Sequence, residues 1–192
     1  MTGWGQALQA LLPADVFVEN CAMCGRSSKS FVAQKRLGFV ELCLREGDKL
    51  LIQFSHNDEK SDALIYTSPR ATYPEYLNMY IDAARRCGAE PILVTPIARR
   101  HFDENGALVP THGEYPDAMR QLAALRGVKL IDLESATMAL IRAAGDEGSK
   151  AFYCHLRPGE SPNYPEGNVD DTHLHLRGAI RYAQAFLELL EG

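Results

Sequence analysis

Leu50-Leu51-Ile52-Gln53-Phe54-Ser55-His56-Asn57-Asp58 is the stretch that decides the fold. A compact apolar run gives way at once to four polar residues. Such a run, bounded by polar punctuation, reads as a strand buried on both faces. The polar residues then stand at the strand's carboxyl end. Working outward, Val16-Phe17-Val18, Ile92-Leu93-Val94 and Val128-Lys129-Leu130-Ile131 repeat the pattern. Amphipathic stretches between them predict helices over 4–12, 30–45, 73–87, 115–125 and 135–144, with a closing helix over 172–190. Gly47, Gly88 and Gly127 fall where a helix has to stop and a strand begin, a position that tolerates positive φ. Strands and helices alternating in this order predict an α/β fold with a doubly wound parallel sheet and right-handed crossovers.

At 192 residues the chain is expected to form one domain over 1–192. Its formal net charge is −5, with basic residues scattered rather than clustered, which argues against a nucleic-acid partner. No window approaches the roughly 18 apolar residues of a membrane span. The opening Met1-Thr2-Gly3-Trp4-Gly5-Gln6 lacks the regions of a signal peptide, so the chain as written is expected in the cytoplasm. Five cysteines, an odd number, predict reduced thiols. Cys21-x-x-Cys24 has no second pair and runs directly into Gly25, so packing is favoured over metal or redox use. Neither a metal site nor any cofactor is expected.

In a sheet of this kind ligands bind outside the carboxyl ends of the strands. Three chemically loaded segments follow expected strands: residues 20–30, residues 55–58, and Thr95-Pro96-Ile97-Ala98-Arg99-Arg100. A fourth, Asp170-Asp171-Thr172-His173, precedes the last helix. An aspartate three residues before a histidine can fix the imidazole tautomer and leave the far nitrogen as general base. The plain alternative is an aspartate that caps the helix beside a surface histidine. Gly25 permits close approach of a backbone N–H, and Asn57 offers a side-chain amide; together they suit a developing oxyanion. Each also fits an ordinary turn.

Taken together, Trp4-Gly5-Gln6, Gly25-Arg26-Ser27-Ser28-Lys29-Ser30-Phe31, residues 52–58, Thr95-Pro96 with Arg99-Arg100, Tyr115-Pro116, and Asp170-x-Thr172-His173 with Gly178-Ala179 resemble the rhamnogalacturonan acetylesterases. These belong to the GDSL/SGNH hydrolases. The resemblance runs from the first residues to the last helix and preserves order and approximate spacing. It implies a three-layer, flavodoxin-like α/β/α architecture and hydrolysis of acetyl esters on pectic sugars through an acyl-serine. It also implies Gly25 and Asn57 as oxyanion donors, Asp170 as orienting acid and His173 as base. Arg26, Arg99 and Arg100 are expected to grip substrate carboxylates, with solvated surface charge as the alternative, and His56 to line the pocket.

Two departures matter. Ser55 stands where the family's third block carries glycine. The first block, a Gly-Asp-Ser ending the first strand, occurs nowhere in the chain: Gly47-Asp48 leads to Lys49 and Gly145-Asp146 to Glu147. The expectation is therefore an N-terminally truncated domain that lacks its central first strand and its nucleophile. Exposed sheet edges would then invite self-association, and a signal peptide lost with the segment would change localisation to secreted. Without the nucleophile, weak or no esterase activity is expected. Ser27, Ser28 and Ser55 are poor substitutes, because no nucleophile elbow surrounds them. The alternatives are a non-catalytic binder of acylated oligosaccharide and a truncated gene remnant.

Overall fold

The computed structural model describes residues 1–192. The chain forms two compact units, each assembled from separated segments. One comprises Cys21–Pro96 and His112–Asp132; the other comprises Met1–Asn20, Ile97–Thr111 and Leu133–Gly192.

The first unit holds the sheet. Strands β1 (Lys49–Ile52), β2 (Glu90–Val94) and β3 (Lys129–Ile131) lie in that order and are parallel throughout. The register pairs Lys49 with Glu90 and Ile52 with Leu93, then Ile92 with Lys129 and Val94 with Ile131. The middle strand is buried from Pro91 to Val94, as its unbroken apolar run requires. Parallel strands need long crossovers, supplied by α4 (Thr72–Arg86) and α5 (Tyr115–Arg126). In α4, Tyr73, Leu77, Tyr80, Ile81 and Ala84 recur at helical spacing and are buried. All but Ala84 pack with Phe31, Ile52, Leu93 and Met119 in one core, each large side chain contributing about 1.5–3 kcal/mol. The helix expected over 30–45 is two helices, α2 (Ser28–Ala33) and α3 (Arg36–Cys43), separated at Lys35 with φ of 60°. Ser27 caps α2, its hydroxyl accepting from Ser30 N at 3.1 Å.

The second unit is helical. It contains α1 (Trp4–Leu8), α6 (Leu133–Ser149) and α7 (Leu176–Glu191). Trp4 stacks on Phe186 with ring centroids 4.9 Å apart, and α7 buries Ala179, Tyr182, Ala183 and Phe186 along one face. Gly178 is required by close approach, since a Cβ there would stand 1.9 Å from the carbonyl oxygen of Phe152.

Two expectations are corrected here. Val16-Phe17-Val18 forms no strand. Two of its backbone groups bond one side chain, Gln9 donating to Val16 O at 2.9 Å and accepting from Val18 N at 2.7 Å, while Val16 N donates to Pro13 O at 3.0 Å. The last helix starts at Leu176 rather than at residue 172. Asp170 takes the N–H groups of Thr172 and His173 into a side-chain turn, which competes with helix. His175 N donates to Phe152 O at 3.0 Å instead. All five cysteines are free thiols, and no helix is long and apolar enough to cross a membrane.

Candidate active site

The residues singled out by sequence fall into two groups, one in each unit. In the sheet-bearing unit, Gly25 adopts φ of 71° just before α2, with open space where a Cβ would be. Only a glycine takes this conformation freely, and it leaves the backbone bare to an approaching group. Asn57 follows β1. One N–H of its amide donates to Arg26 O at 3.2 Å, and its oxygen accepts from Lys60 Nζ at 2.7 Å. The loop of Gly25 and the loop of Asn57 are thus tied together, and a second amide hydrogen remains on Asn57. Arg26 lies at the same junction, its Nε on Gln34 Oε1 at 2.7 Å.

Asp58 joins those loops more firmly. Its carboxylate accepts from Ser28 N at 3.0 Å, from the Ser28 hydroxyl, and from Thr67 Oγ1 at 3.0 Å. Burial pushes this carboxyl up to about 6, against the pull of those same hydrogen bonds. Three tyrosine hydroxyls hold the backbone around it: Tyr73 on Phe54 O at 2.9 Å, Tyr80 on Ser28 O at 2.8 Å, and Tyr115 on Asp58 O at 3.1 Å. Ser55 is buried with φ of 146°, a region L residues rarely adopt. Its hydroxyl lies 3.3 Å from His112 Nδ1, and Glu59 Oε2 approaches the same nitrogen at 3.4 Å. Because both contacts fall on Nδ1, this is no relay of the serine-protease kind. His56 packs edge-on against His112, with centroids 4.5 Å apart.

The serines nearest these loops are spent. Ser27, Ser28 and Ser55 are each no more than 1% exposed. Ser27 caps a helix, Ser28 binds Asp58, and Ser55 binds His112.

In the helical unit, Asp170 Oδ2 lies 2.7 Å from His173 Nδ1, while Asp170 Oδ1 accepts the N–H groups of Thr172 and His173 at 2.8 and 2.9 Å. Partial burial raises the Asp170 carboxyl, but the bonds from the His173 and Thr172 backbone and from the imidazole outweigh it, so the group lies below its ordinary value. An ionised carboxylate therefore faces Nδ1 and fixes the proton there. The His173 side chain is 57% exposed, and its Nε2 makes no hydrogen bond within the protein. Such an arrangement places the proton on Nδ1 and leaves Nε2 open to an approaching group, which is what a general base would require.

Arg99 and Arg100 differ from each other, and only Arg100 departs from expectation. Arg99 is partly buried and donates to Thr111 Oγ1 at 3.2 Å. Arg100, expected to grip a substrate carboxylate, is instead buried. It donates through Nε and Nη2 to Asp146 and through Nη1 to Asp171 Oδ1 at 2.7 Å. A guanidinium so engaged offers no bidentate face to a ligand. Sequence reading gave no role to Asp58, His112 or His155, and offered Asp171 only as an alternative cap of the last helix. The only local signal was that Asp58 sits beside Asn57.

The family model for GDSL-like lipases and acylhydrolases matches residues 1–179. Among curated proteins, the rhamnogalacturonan acetylesterase RhgT of Bacillus subtilis (strain 168) is 44% identical over 191 residues, which is 100% of this chain and 81% of that protein. The probable rhamnogalacturonan acetylesterase YesY of the same organism is 39% identical over 183 residues, 95% of this chain and 80% of that protein. Among solved structures, the protein YXIM of Bacillus subtilis superposes with a TM-score of 0.83 at 24% identity, covering 98% of this chain and 49% of that one. This chain thus spans about half of it. The acetylxylan esterase Axe2 of Geobacillus stearothermophilus superposes with a TM-score of 0.69 at 18% identity, covering 100% of this chain and 82% of that one.

Proposed function

The chain belongs to the GDSL-like lipase/acylhydrolase family, and we propose that it carries the oxyanion-binding and acid–base parts of a carbohydrate acetylesterase directed at acetylated pectic sugars. The observation that carries this reading is the 2.7 Å bond between Asp170 and His173 Nδ1, with Nε2 unengaged. The names of the similar Bacillus acetylesterases support the substrate class.

In this reading the carbonyl oxygen of the acetyl ester takes hydrogen bonds from Gly25 N–H and from the second amide hydrogen of Asn57. His173 Nε2 removes a proton from the attacking hydroxyl, and Asp170 stabilises the imidazolium that results. The tetrahedral oxyanion collapses, the sugar oxygen leaves, and His173 returns its proton to that oxygen. The products are acetate, formed directly where the attacking hydroxyl is that of water, and a free sugar hydroxyl. Arg26, Arg99 and His56 remain the candidates for contacting the sugar. Nothing in this chemistry calls for a metal or an organic cofactor.

The 192 residues contain no Gly-Asp-Ser, and Ser27, Ser28 and Ser55, the serines weighed as substitutes, are buried. The attacking hydroxyl is then that of water, and the polypeptide retains at most the roughly 10³ to 10⁴-fold effect left when a triad loses its nucleophile. The test is acetate release from acetylated rhamnogalacturonan oligosaccharides and from p-nitrophenyl acetate, paired with calorimetric binding. Slow hydrolysis that disappears in His173→Ala is expected. A stoichiometric burst of acyl-enzyme would show that a serine of this chain acts as nucleophile after all. Tight binding with no hydrolysis beyond the buffer rate would favour a non-catalytic binder of acylated oligosaccharide.

A further inference from the structure

The turn that carries Asp170 and His173 lies outside regular secondary structure, yet its geometry has to be held to within a few tenths of an ångström for Asp170 to define the tautomer. Two sets of bonds hold it. After His173, the strap 152–155 pairs with the chain: Cys154 N donates to His173 O at 2.9 Å and His175 N to Phe152 O at 3.0 Å. Before His173, the anchor is Asp171. Its carbonyl accepts from Arg100 N at 2.9 Å. Its Oδ1 is shared by Arg100 Nη1 and His155 Nε2, each at 2.7 Å.

Arg100 is itself rigid. Its side chain is 9% exposed, Asp146 engages the other edge of the guanidinium, and its Cζ lies 5.4 Å from the centre of the Phe102 ring. The cost of desolvating a buried guanidinium is offset only while both carboxylates stay in place. Movement of Asp171 would leave a buried charge short of a partner. Asp171 is covalently next to Asp170, so fixing its side chain and its carbonyl fixes the backbone from which the Asp170 carboxylate projects. His155 adds a second donor to the same oxygen, and its neighbour Cys154 supplies the bond to His173 O. One short strap therefore touches the turn on both sides of His173.

We propose that Arg100 and His155 are positioning residues for the Asp170–His173 pair, acting through Asp171 rather than through substrate. The proposal rests on the general-base reading of His173 given above. It assigns a use to a buried arginine and a histidine that the chemistry itself leaves idle.

The test reads the tautomer directly. Long-range proton–nitrogen NMR of the histidine-labelled 192-residue chain at pH 8 gives the ratio of Nδ1–H to Nε2–H forms of His173. Wild type is expected to be mainly Nδ1–H. Arg100→Gln and His155→Gln should each lower the ratio by about threefold or more, within the usual coupling range. Arg100→Lys, which keeps the charge beside Asp171, should recover part of it. Tyr182→Phe breaks the buried bond between the Tyr153 and Tyr182 hydroxyls without touching Asp171, and should leave the ratio unchanged. A purely structural contribution would move all of these together, and that outcome overturns the proposal. So does an unchanged ratio in folded His155→Gln, the milder substitution should Arg100→Gln not fold. Asp170→Asn separates the two levels. If it shifts the tautomer while the Arg100 and His155 variants do not, the pair stands and the positioning role falls. If Asp170→Asn shifts nothing, the pair itself is wrong and the positioning role falls with it.

Discussion

Asp58 and Asp170 each accept backbone N–H groups at the edge of a loop, yet their surroundings drive them in opposite directions. Asp58 is sealed in the sheet-bearing unit, where burial overrides its hydrogen bonds and raises it to about 6. Asp170, with 22% of its side chain exposed, is left with bonds that outweigh its burial and hold it below its ordinary value. The first carboxyl ties two loops together; the second keeps its charge available to an imidazole. Similar chemistry in sequence therefore becomes architecture in one place and a working group in the other, and solvent access decides which.

The sharpest way to break this comparison is to delete both carboxyls. Asp58→Ala leaves the Ser28 N–H, the Ser28 hydroxyl and the Thr67 hydroxyl without their acceptor in a dry site, and should cost about 3 kcal/mol at pH 5. Asp170→Ala removes a turn acceptor at a wetter place and should cost about 1 kcal/mol, while abolishing the tautomer preference of His173. Urea unfolding of both variants measures the difference. Equal losses would mean that the two sites are not physically distinct.

The comparison also fixes a sign in pH. Asp58 has a folded value above its unfolded 3.8, so the folded state holds that proton more tightly. Its contribution is fully present below about 3.8 and is lost as pH rises through about 6, a span worth up to about 3 kcal/mol. Asp170 acts oppositely, stabilising at neutral pH and losing that contribution as pH falls. Subtracting the unfolding free energies of Asp58→Asn from those of wild type between pH 4 and 7 should isolate a difference that declines with rising pH. A flat or rising difference would mean that Asp58 is not desolvated.

Sequence made the periodic parts of the fold plain and left the cross-linked parts obscure. The middle strand, α4 and α5 are legible because burial on both faces or on one helical face is written into consecutive residues. Val16-Phe17-Val18 misleads because a strand needs a ladder partner, and composition cannot say that Gln9 and Pro13 O take backbone groups of this segment instead. The pairing of Asp170 with His173 is legible because a three-residue spacing is local. The network of Arg100, Asp146, His155 and Asp171 is not, since its members come from four separate segments and no local spacing pairs them. Asp58 was hidden differently: an aspartate after a strand gives no sign in sequence that a helix start and Thr67 will close over it.

The smallest expected effect lies three residues before Asp58 and tests how tightly that loop is built. Ser55 occupies a φ of 146°, where a side chain costs about 1–3 kcal/mol, and part of that cost is returned by its 3.3 Å contact with His112. Ser55→Ala keeps the strained backbone and loses the contact. Ser55→Gly loses the contact too, but releases the strain at the expense of roughly 0.4–1 kcal/mol of unfolded-state entropy. Glycine should therefore be the more stable of the two by about 1 kcal/mol, the reverse of the usual order in ordinary backbone, as read by paired thermal or urea unfolding. If alanine is the more stable, the backbone at Ser55 is relaxed. The buried frame around Asp58 would then owe its rigidity to the tyrosine and serine hydrogen bonds alone.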